Sequence, residues 1–169
     1  MPESDPTADP TPVAAPSRLS PRRLYRTVAI AEAVTWTLLI AGMILKYVLD
    51  AGDVGVRVGG AVHGFVFLAY GMTAVLVGLN QRWSVRLIVG ALLTAIVPYA
   101  TVPFDRWLVR RNLLDGAWRR AASDDPRDGT VVDRMLRGTL RHPLLLAVGL
   151  VVVLIAIFAT LLALGPPGR

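Results

Sequence analysis

Four apolar stretches follow one another along the chain, divided by two short polar turns and one long basic connection. They run from about Thr27 to Leu49, Val58 to Leu79, Val85 to Val102 and Pro143 to Leu164. Each is close to the roughly 20 residues a helix needs to cross the hydrocarbon of a bilayer. The last is the purest, since Leu144 to Leu164 holds one hydroxyl, Thr160, and no charge. Pro143 suits a first helical turn, where its missing N–H costs nothing. The pattern predicts an all-α integral membrane protein with about four transmembrane helices. Asp50 to Arg57 reads as the first turn, with Gly52 and Gly55, and Asn80 to Ser84 as the second. Pro98 and Pro103 fall near the end of the third stretch.

The connection from Phe104 to His142 has two amphipathic parts. Phe104, Trp107, Leu108 and Leu114 recur at roughly helical spacing among Arg106, Arg110, Arg119 and Arg120. After an acidic turn containing Pro126, a second stripe of Val131, Val132, Met135, Leu136 and Leu140 lies opposite Arg134, Arg137 and Arg141. Both parts are expected to be helices in the membrane interface or packed on the protein surface. Residues 1–20, rich in Pro, Ser, Thr, Ala and acids, have too few large apolar groups for a core and are expected to be a disordered tail.

Composition supports a membrane solvent. Hydrophobic residues make up 54% of the chain and charged residues 18%, with a mean hydropathy of +0.54; soluble domains carry about 25% charged residues. The absence of cysteine excludes disulfides, thiolate metal sites and cysteine nucleophiles. The net charge of +6 does not require nucleic acid, because Arg beside spans orients the chain and meets anionic headgroups. No nucleic-acid partner is expected, and interfacial Trp and Arg explain Trp107 and Trp118.

Orientation gives conflicting signals. Arg18, Arg22, Arg23 and Arg26 before the first span argue for a cytoplasmic N-terminus. Four crossings would then place the connection outside, although it carries Arg106, Arg110, Arg111, Arg119, Arg120, Arg127, Arg134, Arg137 and Arg141. The expectation is a multi-pass plasma-membrane protein with its N-terminus inside.

Ionisable groups within apolar stretches are costly, so they become the candidate residues. Antiparallel packing is expected to gather Lys46, Tyr47, Asp50, Arg57, His63, Tyr99, Asp105 and His142 at one membrane face. Glu32 lies toward the other face and is expected to pair with Arg86, or with Arg82, to lock spans one and three; a proton relay or substrate contact is the functional alternative. Lys46 can snorkel to the interface or pair with Asp50 or Asp105. His63 can hydrogen-bond a neighbouring helix or carry a proton or ligand. Gly60, Gly64, Gly71 and Gly78 suggest one flat seam along span two, for internal packing or a homodimer. No phosphate loop, paired-carboxylate site, nucleophile with a base or metal-ligand spacing is present in the sequence. No enzyme activity, cofactor or metal is therefore expected.

Arg22-Arg23-Leu24-Tyr25-Arg26…Ala31-Glu32, Leu45-Lys46-Tyr47, Val62-His63-Gly64-Phe65…Tyr70, Arg82-Trp83-Ser84, and Val97-Pro98-Tyr99…Pro103-Phe104-Asp105-Arg106 together resemble the DUF3817 family of small bacterial membrane proteins. That family is frequent in actinobacteria and includes the YdzA-like proteins. The resemblance implies a three-span membrane domain over residues 21–110, without an assigned biochemistry. Residues 111–142 would be an added basic connection, 143–164 an added fourth transmembrane helix, and 165–169 a short tail. The function expected is an accessory or scaffold subunit that binds other membrane components or a second copy of itself within the lipid bilayer. The alternative is a small proton-coupled transporter or ligand-binding module using Glu32, Lys46 and His63.

Overall fold

The computed structural model describes residues 19–123 and 125–165. The expected tail over residues 1–20 falls almost wholly outside them, as does most of the short tail at 165–169. The described chain is helical: α1 Pro21–Tyr47, α2 Val54–Asn80, α3 Val85–Thr94, α4 Thr101–Arg110, α5 Val131–Leu140 and α6 Pro143–Leu164, with a 3-10 turn at Pro126–Gly129. Among the described residues, three helices are long and apolar enough to cross a membrane: α1, α2 and α6.

The third predicted span differs. Residues 85–102 do not form one helix but enter as α3, turn, and lead back through α4. Ten helical residues extend only about 15 Å, half the thickness of a hydrocarbon core. The break has a local cause. Pro98 has no N–H and disfavours helical geometry at Val97, and Tyr99 then takes a left-handed conformation with φ 65°. Tight backbone bonds keep the turn satisfied, including Ile96 N–H to the Leu93 carbonyl, Val97 to Thr94 and Ala100 to Val97. Pro103 falls in the first turn of α4, where a proline is tolerated.

Side-chain contacts fix the direction of each arm. A methyl group placed on Gly78 would meet Ile88, and one on Gly71 would meet Leu92, so α3 runs antiparallel to α2 and away from the end marked by Asn80. At the turn, the Trp36 indole donates to the Ala95 carbonyl at 3.2 Å. On the way back, Thr101 reaches the Ala29 carbonyl and Asp105 reaches Arg26. The α3–α4 hairpin therefore starts and finishes at the end of the bundle where α1 begins.

Two matching helix ends close the hairpin base. Trp83 N–H bonds to the Gly78 carbonyl and Arg82 N–H to Leu79, with Arg82 left-handed at φ 56°. Leu113 N–H bonds to Leu108 and Asn112 N–H to Val109, with Asn112 at φ 56°. Both are Schellman motifs, which satisfy the last carbonyls of a helix. The Trp83 indole donates to the Leu113 carbonyl at 2.8 Å and ties the two together.

Helix α4 ends at Arg110, so the expected helix over Phe104 to Arg120 is only half formed. Residues 115–123 instead run as a strap across the end of α2. Asn80 holds it, donating to the Ala117 carbonyl at 3.0 Å and accepting from Arg119 N–H at 2.9 Å. The second amphipathic stripe forms α5, capped by Thr130 accepting from Asp133 N–H. Helix α6 then runs along α2, with Phe158 meeting Phe65 edge-on at a centroid distance of 5.5 Å. Apart from Leu154, its described residues keep exposed or partly exposed surface.

The glycines of α2 do not form one seam. Gly60 faces Leu39 of α1, Gly64 faces Phe158 of α6, and Gly71 and Gly78 face α3. The close approach of α1 and α2 is made elsewhere. A Cβ on Gly42 would lie 2.5 Å from the Gly55 carbonyl oxygen, and one on Gly59 would lie 2.8 Å from that of Leu38.

Candidate functional site

Between α1, α2 and the hairpin runs a chain of buried polar groups. Its centre is Glu32, fully buried on α1. Antiparallel packing of α4 on α1 sets Thr101 opposite, and its hydroxyl lies 2.8 Å from Glu32 Oε2 and 3.1 Å from the Ala29 carbonyl. Glu32 Oε1 has no hydrogen-bond partner. The expected pairing is not formed: Arg86 is exposed and Arg82 turns to Asp125 and Asp128. The reason is the hairpin, which returns Thr101 to the level of Glu32 and leaves Arg86 at the base of α3.

One helical turn further along α1, Thr35 donates to the Glu32 carbonyl at 2.9 Å and lies 3.1 Å from His63 Nδ1 on α2. The Thr35 hydroxyl has one hydrogen, and the Glu32 carbonyl takes it. By that balance His63 Nδ1 carries a proton and donates to Thr35. The Trp36 ring packs on the imidazole at 4.4 Å between centroids. Nearer the start of α1, Tyr25 and Tyr70 meet hydroxyl to hydroxyl at 2.7 Å, and Tyr70 donates to the Ala91 carbonyl at 3.2 Å. Asp105 accepts from Arg26 Nε at 3.1 Å through Oδ2, while its Oδ1 is buried without a partner.

The expected gathering at one membrane face is therefore split. Lys46, Tyr47, Asp50 and Arg57 stay around the α1–α2 turn. Asp105 and His142 lie at the opposite end, again because the hairpin returns. Lys46 Nζ sits 5.3 Å from the centroid of the neighbouring Tyr47 ring instead of pairing with Asp50 or Asp105. Tyr99, at the hairpin turn, meets Thr37 at 3.2 Å. Thus Thr35 joins His63 to the backbone carbonyl of Glu32, not to its carboxylate, and Lys46 and Arg86 stand apart from both.

A second polar cluster covers the strap. Asp128 is its hub, meeting the guanidinium groups of Arg82, Arg119 and Arg137 and accepting from the backbone N–H and hydroxyl of Ser123 at 2.6 and 2.8 Å. Those Ser123 bonds, with Arg137 and Arg82 adding to them, hold the Asp128 carboxyl below the ordinary carboxylate range. Arg119 also reaches Asp133 at 2.7 Å and the Leu79 carbonyl at the end of α2, again at 2.7 Å. The left-handed backbone of Arg82 costs about 1–2 kcal/mol, which its two carboxylate contacts help offset.

Sequence reasoning missed Tyr25, Tyr70, Thr35 and Thr101 as members of the polar core. Hydroxyls are cheap to place in apolar helices, so they gave no signal of their own. It marks Arg82 only as an alternative partner of Glu32, and reads Arg119 and the acidic turn that carries Asp128 only as charge. Among the described residues, no group of three His, Asp or Glu side chains could hold a metal ion.

Fold and composition together define an all-helical membrane protein. The family model for "Domain of unknown function (DUF3817)" matches residues 22–110, more than half of the chain, and the chain belongs to that family. A Streptomyces coelicolor protein, "Putative membrane protein SCO5905", is 38% identical over 115 residues, covering 66% of this chain. The chain spans only 14% of that relative's length. No solved structure matches.

Proposed function

We propose that the chain is a multi-pass protein of the plasma membrane, with α1, α2 and α6 crossing and the α3–α4 hairpin entering and leaving on one side. Irregular backbone at membrane depth is tolerated where protein buries it or its groups are bonded internally, as in the turn over residues 95–100. This topology removes the conflict over orientation. Arg22, Arg23, Arg26, Arg82, Arg86, Arg106, Arg110, Arg111, Arg119, Arg120, Arg134, Arg137 and Arg141 all fall at one end, with Lys46 and Arg57 the basic residues of the other among those described. The positive-inside rule then puts the Arg-rich end and the N-terminus in the cytoplasm.

Its role in this reading is that of an accessory module packing against a larger membrane component. The observation that carries the reading is α6, a 22-residue helix apolar on every side whose Leu154 alone is buried. The size of the Streptomyces coelicolor relative supports it, because there a similar segment is one part of a much longer chain. The test is a photo-crosslinking residue at Val148 or Ile155, on the outer side of α6, in native membranes. One discrete protein adduct from these positions, absent from Val34 on α1, supports the module. Lipid adducts alone from all three positions would contradict it.

A second reading is favoured by the unpartnered Glu32 Oε1 and by His63 Nε2 beyond its bonded Nδ1. In it the core carries protons or binds a small ligand. Loss of a proton-dependent activity in both Glu32→Gln and His63→Ala, with assembly unchanged, would support that reading over the first.

A further inference from the structure

Helices α1 and α6 both flank α2, but α6 packs on α2 and α5 and does not reach α1. The space between them is an apolar groove of about 460 Å³. Leu24 forms one wall, Met72 and Leu76 the floor, and Leu150 the other wall. The groove lies along the first half of α6, beneath the Arg-rich end. Its rim is made by Trp118 and Arg120 of the strap.

An open apolar cleft between membrane helices is not left empty, because its lining atoms would lose their contacts outright. Water is a poor occupant, since few polar groups are there to hold it. The Trp118 indole N–H is already used on the Leu19 carbonyl at 2.6 Å. That leaves the rim with one charge, the Arg120 guanidinium. Arg141 lies beside it, donating from Nε to the Arg120 carbonyl at 3.1 Å. The described carboxylates of this end are engaged by other arginines: Asp115 by Arg22, Asp105 by Arg26, Asp125 by Arg82, Asp128 by Arg82, Arg119 and Arg137, and Asp133 by Arg119. Arg120 and Arg141 are exposed, and neither forms an ion pair with an acidic side chain among the described residues. An apolar slot with Arg120 at its interfacial rim and Arg141 beside it, neither paired with a described carboxylate, has the chemistry that takes an acyl chain joined to an anionic headgroup.

We infer that this groove is a binding site for one anionic phospholipid, with an acyl chain against Met72, Leu76 and Leu150 and the headgroup phosphate at Arg120 and Arg141. The strap and α5 are then the parts that select the headgroup, since they deliver both arginines to the mouth. The proposal rests on the helices lying in a membrane, but not on which side the Arg-rich end faces.

The test is native mass spectrometry of the full chain in mild detergent, with phosphatidylglycerol or phosphatidylcholine of identical chains added. The wild type should retain one phosphatidylglycerol in preference to phosphatidylcholine. Arg120→Gln with Arg141→Gln should reduce that preference roughly tenfold or more, from the contribution of two interfacial arginines, while retention of phosphatidylcholine is unchanged. Ala147→Trp, which fills the groove from the exposed α6, should lower retention of both lipids. Circular dichroism of each variant separates loss of binding from loss of fold. Equal retention of the two lipids by the wild type would overturn the proposal. So would a lipid preference that survives both sets of changes, or a dimer that Ala147→Trp converts to monomer with no lipid bound to either.

Discussion

Arg26 Nε lies 3.1 Å from Asp105 Oδ2, and this contact pins the returning arm of the hairpin to the start of α1. Asp105 is nearly buried while Arg26 is 45% exposed on its side chain. The exposed partner can be lost to water; the buried one cannot. Arg26→Gln should therefore destabilise the protein by about 1–3 kcal/mol, the cost of leaving a buried acceptor poorly satisfied. Adding Asp105→Asn should recover part of that loss. Thermal unfolding in detergent of the two single variants and the pair measures the coupling, and strict additivity would show that the contact does not hold the hairpin.

Glu32 and Thr101 form the matching contact deeper in the bundle. Glutamine has the shape of glutamate and can donate to the Thr101 hydroxyl, whose hydrogen then goes to the Ala29 carbonyl. Glu32→Gln should keep the fold and the protein level close to wild type. Glu32→Ala leaves both Thr101 and a cavity unsupported and should cost about 2–4 kcal/mol. A Glu32→Gln protein that failed to accumulate would mean the negative charge itself is required.

Glycine at positions 42 and 59 is needed because backbone oxygens of the neighbouring helix stand where a Cβ would be. Gly42→Val or Gly59→Val should force α1 and α2 apart and destabilise the protein by about 1–3 kcal/mol or more. Gly60→Val meets only the flexible end of Leu39, at 3.8 Å, and should be nearly neutral. Comparing the melting temperatures of the three variants distinguishes this contact from the seam suggested by residues 60, 64, 71 and 78.

The Asp128 hub makes the strap acid-sensitive. Its carboxyl titrates below the usual range in the folded protein. The stabilisation it provides is therefore complete above the ordinary carboxylate pKa of about 4 and is lost as pH falls through the lower folded value. Hydrogen exchange at Ser123 and along α5 should stay slow down to about pH 4 and rise below it. Asp128→Asn should raise exchange in the same segment at neutral pH and remove the acid step.

Much of this was legible in the sequence. The lengths of α1, α2 and α6 follow from uninterrupted apolar runs, and α5 follows from the stripe of Val131, Met135 and Leu136. The fate of residues 85–102 did not follow, although the signal was present in Pro98 and Pro103. Hydropathy averages over such a segment and cannot tell a bent return from a crossing. That one difference moved Asp105 and His142 to the other end and broke the expected Glu32–Arg86 pair. For the glycines, Gly55 and Gly59 have the same spacing as Gly60 and Gly64, and only packing separates the pair that touches α1 backbone from the pair that does not. The strap was unreadable because its order comes from Asn80 and Arg119, far apart in sequence.

The most direct test of the topology uses the absence of native cysteine. Single cysteines at Leu19, Ala51 and Ala122 are labelled with a membrane-impermeant maleimide in intact cells and again after permeabilisation. Ala51→Cys should react in intact cells, whereas Leu19→Cys and Ala122→Cys should react only after permeabilisation. Labelling of Ala122→Cys in intact cells while Leu19→Cys stays protected would mean that residues 85–110 cross the membrane, contradicting the returning hairpin.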